Sequence, residues 1–260
     1  MPDTENNGAL ATAEDSAPVQ QSPLIDPALL DEIIKAGILY GRKKSKTHPR
    51  MKPYIFGTRN GIELIEPPKT LEALEKAGEF LKEAVKKDGT ILMVGTQPSA
   101  QELIEELAKK FAFPYVVKRW LGGTLTNFAT INKRLQYYMN LKADRATGKL
   151  EKYTKKERLE FDRLIAKMDG FFLGLERMPK LPGALLVVNA NEHITAIREA
   201  RRMKIPVVAI LSTDTDPEIV EYPIPANDNS KASIAWILAK LEAKVAEGIK
   251  ERPVKAAVVK

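Results

Sequence analysis

The sequence contains no cysteine, which excludes disulfide staples, thiolate nucleophiles and zinc sites built on sulfur. Histidine occurs twice in 260 residues, at His48 and His193. Neither has a second histidine nearby in sequence, so histidine metal sites and His-based triads are poorly supported. No run approaches the ~20 consecutive apolar residues that cross a bilayer, and a soluble protein is expected. Residues 1–30 lack the cationic start and apolar run of a secretory signal and the arginines of a mitochondrial transit peptide, leaving the cytoplasm as the expected compartment. There is no GxxxxGK[ST] phosphate loop and no GxSxG elbow, and Gly122-Gly123 is not a GxGxxG fingerprint.

Charge of one sign is missing over long stretches. No Lys or Arg precedes Lys35, while Asp3, Glu5, Glu14, Asp15, Asp26, Asp31 and Glu32 supply seven acids. From residue 35 onward all 41 basic groups face 27 acids, a net charge of +14 inside a chain whose total is +7. A basic body with an acidic tip points to a polyanionic partner. Residues 1–25 are too poor in apolar side chains to bury a core and read as a disordered acidic extension.

Apolar runs at Ile62–Ile65, Thr90–Val94, Tyr115–Val117, Ala184–Val188, Val207–Leu211 and Tyr222–Ile224 read as strands. Helical patterns occupy Thr70–Lys86, Ser99–Lys110, Glu192–Met203 and Ser230–Glu247, after a short opening helix from Asp26-Pro27 to Lys35. This alternation predicts an α/β fold, a mainly parallel sheet with helices on both faces. Between Phe128 and Leu175 only helix is signalled. Phe128, Ile131, Leu135 and Tyr138, then Phe161, Ile165, Met168, Phe172 and Leu175, recur at spacings of 3 and 4. Thr154 and Glu157 form a capping box for the second helix. The expectation is an antiparallel coiled-coil hairpin, residues 124–178, inserted into an α/β domain of residues 26–123 and 179–247. Residues 248–260 read as a basic flexible tail.

Two windows lack acids altogether. Residues 33–62 carry Lys35, Arg42, Lys43, Lys44, Lys46, Arg50, Lys52 and Arg59 among Tyr40, His48, Tyr54 and Phe56. Glycines and prolines keep part of this segment irregular. Residues 107–143 carry Lys118, Arg119, Lys133 and Arg134 among several aromatics. Cations that reach outward contact phosphates, and exposed rings stack on bases or sugars. Arg42, Lys43, Lys44, Lys46, Arg50, Lys52, Arg59, Lys118, Arg119, Lys133 and Arg134 are therefore the candidate RNA-binding residues. Trp120 reads as a packing anchor at the junction of sheet and hairpin. The mixed charges around Arg145, Lys149, Lys152, Lys155, Lys156 and Arg158 read as an ordinary exposed helix face.

Two further readings compete. Asp214-Thr215-Asp216 after a strand resembles the paired aspartates of magnesium phosphotransferases, although Ser212 and Thr213 intervene and Asp216-Pro217 reads more simply as a turn. His193 stands where a helix follows a strand, at the edge where α/β proteins bind ligands, and reads as a polar helix-start residue. A third reading is an interaction protein that uses the hairpin alone.

Ala36-Gly37-Ile38-Leu39-Tyr40-Gly41 followed by Pro49-Arg50-Met51-Lys52-Pro53-Tyr54-Ile55-Phe56-Gly57-Thr58-Arg59-Asn60-Gly61-Ile62 closely resembles the opening of the bacterial ribosomal protein S2 family. Arg119-Trp120-Leu121-Gly122-Gly123-Thr124-Leu125-Thr126-Asn127 resembles that family's most recognisable internal motif. Val94-Gly95-Thr96, Thr154-Lys155-Lys156-Glu157, the block from Leu181 to Val207, and Ile224-Pro225-Ala226-Asn227-Asp228 extend the likeness in order across roughly residues 28–247. The resemblance implies a flavodoxin-like domain with an inserted coiled coil. It also implies a structural, non-enzymatic role in the cytoplasmic ribosome. The implied partners are 16S rRNA, adjacent small-subunit proteins and ribosomal protein S1. The family commonly has histidines flanking the position of Tyr40-Gly41, where this chain has Leu39 and Arg42, so no metal or other cofactor is expected.

Overall fold

The computed structural model describes residues 26–252, so the acidic extension of residues 1–25 and the end of the basic tail lie outside it. The first helix, α1 (Pro27–Ala36), opens as the sequence dictates. Asp26 accepts a hydrogen bond from the Ala28 amide, and Gly37 closes the helix in the left-handed conformation.

The central sheet takes its order from five short apolar strands, β4 (Ile91–Val94), β5 (Tyr115–Val116), β6 (Ala184–Val188), β7 (Val207–Leu211) and β8 (Tyr222–Pro225). They are all parallel, in the order β5-β4-β6-β7-β8. Successive residues feed opposite cores. Ile91 and Met93 of β4, Leu186 and Val188 of β6, and Val208 and Ile210 of β7 face one side. Leu92 and Val94, Leu185 and Val187, and Val207, Ala209 and Leu211 face the other. Both faces are buried, which is why these strands are continuous apolar runs rather than alternating ones.

One face is covered by α1, α2 (Pro67–Lys86), α3 (Pro98–Phe111) and α7 (Lys231–Lys250). In α7, Ile234, Ile237, Leu238, Leu241 and Val245 are all buried, the face that the periodicity marked. The helix runs to Lys250, three residues into the stretch expected as a tail. Its glycine at 248 is required by packing. A Cβ there would sit 2.6 Å from the Lys82 carbonyl oxygen of α2. The other face is covered by α6 (Ile194–Arg202) and the base of a helical hairpin, α4 (Phe128–Ala146) and α5 (Lys155–Phe172). Ile131, Leu135, Tyr138, Ile165, Phe172 and Leu175 are buried along the hairpin and its base. Thr154 and Glu157 make the capping box expected of them.

The sequence reading departs from the structure in the basic segment. Tyr40–Lys43 (β1) and Ile55–Arg59 (β2) are strands that flank β3 (Ile62–Ile65) in a small antiparallel sheet, order β1-β3-β2. The alternation was hidden by bulges in both pairings and by charged residues on an exposed sheet. Asn60 and Gly61, both at positive φ, make the turn between β2 and β3.

Gly174 lies where the hairpin rejoins the sheet. A Cβ there would fall 2.1 Å from the Tyr115 carbonyl oxygen of β5. Gly174→Ala should therefore lower stability by about 2 kcal/mol or more through forced backbone movement. Urea unfolding checks this, and an unchanged midpoint would show that the hairpin base is not pinned against β5.

Candidate nucleic-acid interface

The parallel sheet places the ends of β4, β6, β7 and β8 along one edge, and the small sheet docks there. The Asn227 amide donates to Ile38 O at 3.0 Å, the Asn227 side-chain amide donates to Gly37 O at 3.0 Å, and the His48 amide donates to Thr213 O at 2.8 Å. The Arg42 amide donates to Thr213 Oγ1 at 2.8 Å. Gly41 allows this approach, because a Cβ on it would meet Thr213 Cγ2 at 2.5 Å.

The candidate cations of this segment divide into two groups. Arg42 turns inward. Its guanidinium pairs with Asp228 at 3.0 Å and lies 3.4 Å from Asp214. Arg50 pairs with Asp216 at 2.5 Å and Glu218 at 3.1 Å, although it is itself exposed. Planar guanidinium groups with several fixed donors suit such two-carboxylate arrangements. Lys43, Lys44, Lys46, Lys52 and Arg59 are exposed and make no ion pair among the described residues. Phe56, 77% exposed, and Tyr40, 47% exposed, stand among them.

The second group lies across the same edge. Lys118 and Arg119 follow β5, and Lys133 and Arg134 lie on the first turns of α4; all four are exposed and without ion pairs among the described residues. The loop from Trp120 to Thr126 that joins them folds around one buried carboxylate, Glu199 of α6. Glu199 accepts from the Trp120 indole at 3.1 Å, from the backbone amides of Gly123, Leu125 and Thr126 at 2.8, 3.0 and 3.2 Å, and from the Thr126 hydroxyl at 3.2 Å. These donors hold its carboxyl below the usual range despite the opposing effect of burial. Trp120 thus anchors the sheet–hairpin junction, as expected, through its ring nitrogen as well as its ring. At the hairpin end, Arg145 pairs with Asp162 and Lys149 with Asp144, the mixed-charge helix face that the sequence suggested.

The residues of the enzymatic readings are committed elsewhere. Asp214 and Asp216 lie beside arginines, and Asp216 caps the short helical turn Pro217–Ile219. His193 is buried at the start of α6 and accepts from the Thr96 amide through Nε2 at 3.2 Å, tying the end of β4 to α6. Among the described residues no cluster of three or more His, Asp or Glu side chains could hold a metal ion, and no helix is long and apolar enough to cross a membrane. Sequence reasoning missed Glu199 and Asp228 as organising groups. A single acid among Ala196, Ile197 and Ala200 on the buried side of α6 was the available signal for Glu199.

Burial acts oppositely on two titratable groups of this edge, Asp228 and His193. It pushes Asp228 up to about 7, with Asp214 adding to the rise and Arg42 opposing it. It pushes His193 down to about 4, with the Asn189 backbone pulling the other way. Between about pH 4 and 7 the folded chain keeps an Asp228 proton that the unfolded chain has released, so stability falls as pH rises. Between about pH 4 and 6.5 the unfolded chain binds a His193 proton that the folded chain rejects, so stability rises with pH. Each contribution is on the order of 3 kcal/mol, and in the intact protein they offset. Asp228→Asn should leave a stability that climbs from pH 4.5 to 6.5, and His193→Gln one that falls. Urea midpoints across that range test this; parallel profiles for the two variants would refute the opposition.

Comparison with known proteins agrees with this geometry. The family model described as ribosomal protein S2 matches residues 33–248. A protein of Roseiflexus castenholzii named small ribosomal subunit protein uS2 is 42% identical over 220 residues, 85% of this chain and 84% of its own. The proteins of the same name from Nocardia farcinica and Rhodococcus opacus are each 43% identical over 223 residues, 86% of this chain and 78% and 77% of theirs. A flavodoxin-like α/β fold with an inserted helical hairpin, and these sequence matches over most of its length, place the chain in the bacterial ribosomal protein S2 family.

Proposed function

We propose that the chain is a structural, non-catalytic constituent of the small ribosomal subunit, held there by contacts to 16S rRNA and to adjacent subunit proteins. The observation that carries this reading is the division of its cations. Arg42 and Arg50 are used internally, while Lys43, Lys44, Lys46, Lys52, Arg59, Lys118, Arg119, Lys133 and Arg134 are exposed, in two acid-free segments, without ion-pair partners among the described residues. Residues 26–123 and 179–247 serve as the rigid platform, and residues 124–178 as an arm that reaches a neighbour. The resemblance adds ribosomal protein S1 as a partner and the cytoplasmic ribosome as the location. Engagement of Asp214 and Asp216 by arginine speaks against the phosphotransferase alternative.

Each phosphate that a lysine neutralises releases counterions, so binding should weaken steeply with salt. The protein should sediment with 30S particles at moderate salt, and recovery wholly in the soluble fraction of a gentle lysate would defeat the assignment. Replacing Lys43, Lys44, Lys46 and Lys52 together by Gln should flatten the salt dependence of 16S rRNA binding without altering the unfolding midpoint. Arg42→Gln should do the reverse, lowering the midpoint because Asp228 loses its partner. An affinity loss confined to Arg42→Gln would overturn the division between inner and outer cations.

A further inference from the structure

We infer that Glu199 is the positioning residue of the second cationic surface: without touching RNA, its carboxylate sets where Lys118, Arg119, Lys133 and Arg134 point. The inference rests on the RNA reading above and adds a residue that lies on a different element, α6, and is only 8% exposed.

The loop after Arg119 buries Leu125 in the core and packs Trp120 and Leu121 against it, which leaves the polar groups of its backbone to be placed. It forms no strand or helix between Val116 and Phe128, and its backbone must find partners outside regular structure. Glu199 supplies them. Five donors from four loop residues converge on its two oxygens, an arrangement in which no neutral side chain of that size can replace it, because an amide offers one acceptor oxygen and two donors. Gly123 stands at φ +88°, where a side chain would be strained, and this conformation brings its amide to Oε1 at 2.8 Å. The remaining loop bonds are short-range. Thr124 donates to Leu121 O through both its amide and its hydroxyl, and the Asn127 amide donates to Gly123 O at 2.8 Å.

The consequence reaches the hairpin. Asn127 is the residue before α4, and its carbonyl accepts from the amides of Thr130 and Ile131. The first turn of α4 is therefore joined to a loop that Glu199 holds, while the packing of Ile131, Leu135 and Tyr138 fixes the rest of the helix. Lys133 and Arg134 lie within its first two turns, while Lys118 and Arg119 lie just before Trp120. One buried carboxylate thus holds the loop between the two pairs, and cations on flexible stems gain a defined origin from which to reach phosphates.

The full chain carrying Trp236→Phe makes Trp120 the sole indole, since the sequence has two tryptophans. In that background, Glu199→Gln should shift Trp120 emission. It should also lower the slope of log affinity for a 16S rRNA transcript against log salt by as much as replacing Lys118, Arg119, Lys133 and Arg134 together by Ala does, about 0.7 per lost phosphate contact. Combining the two changes should lower it no further. A Glu199→Gln protein with altered emission but wild-type affinity and slope, or effects that add in full, would reduce Glu199 to a structural carboxylate and overturn the inference. Should Glu199→Gln fail to fold, Thr126→Val removes a single donor and should give the same pair of changes at smaller amplitude; wild-type slope with shifted emission there would count equally against it. Unchanged binding by that fourfold variant would instead defeat the RNA reading of this loop, and the inference with it.

Discussion

A parallel sheet buried on both faces can present side chains to a partner only at its strand ends. That constraint governs this molecule. The inner strands β4, β6 and β7 are consumed by packing along their whole length, and the residues that vary in chemistry are those just past the strand ends: Thr96 after β4, Lys118 and Arg119 after β5, Asn189 and His193 after β6, Thr213 to Asp216 after β7, and Asn227 and Asp228 after β8. The small antiparallel sheet and the hairpin both attach along this edge.

Charge at the edge is handled by residue type. Carboxylates that are buried there meet either an arginine, as Asp228 meets Arg42, or a ring of neutral donors, as Glu199 does. Lysines are left to the solvent. The energetic logic is that a buried carboxylate left unpaired costs several kcal/mol, whereas an exposed ammonium costs nothing and keeps its charge available. A count of basic residues along the sequence therefore overstates what is free to bind, and the structure sorts the count.

Much of the architecture was legible in the sequence because its elements obey strong periodic rules. The five buried strands were marked by continuous apolar runs, α7 by its apolar stripe, and the hairpin by its 3–4 spacing and the Thr154/Glu157 box. The strands β1 and β2 were not legible, because bulges break their period and their exposed side carries charge rather than an alternating pattern. The candidate interface was legible in composition and not in wiring. Nothing in the spacing of Arg42 and Asp228, 186 positions apart, announces that they meet. Nor does the sequence around Trp120 reveal the carboxylate on which its loop closes, since that contact spans 79 positions. Long-range ion pairs and side-chain-to-backbone bonds leave no local period to read.

The distance in sequence between β1 and its docking site also orders events in time. Arg42 bonds to Thr213 and Asp228, partners that emerge 171 and 186 residues later. At roughly 5–20 residues per second, translation separates them by about 10–40 s. For that interval the lysine-rich segment is tethered but has no edge to lie on. The hairpin and the β4–β5 unit, made of near neighbours, can form meanwhile, since closing short loops is cheaper than closing long ones. The earliest of the cationic elements to be synthesised is thus the last to acquire its final geometry, and the completed β7 and β8 act as a clock that delays it until the platform exists.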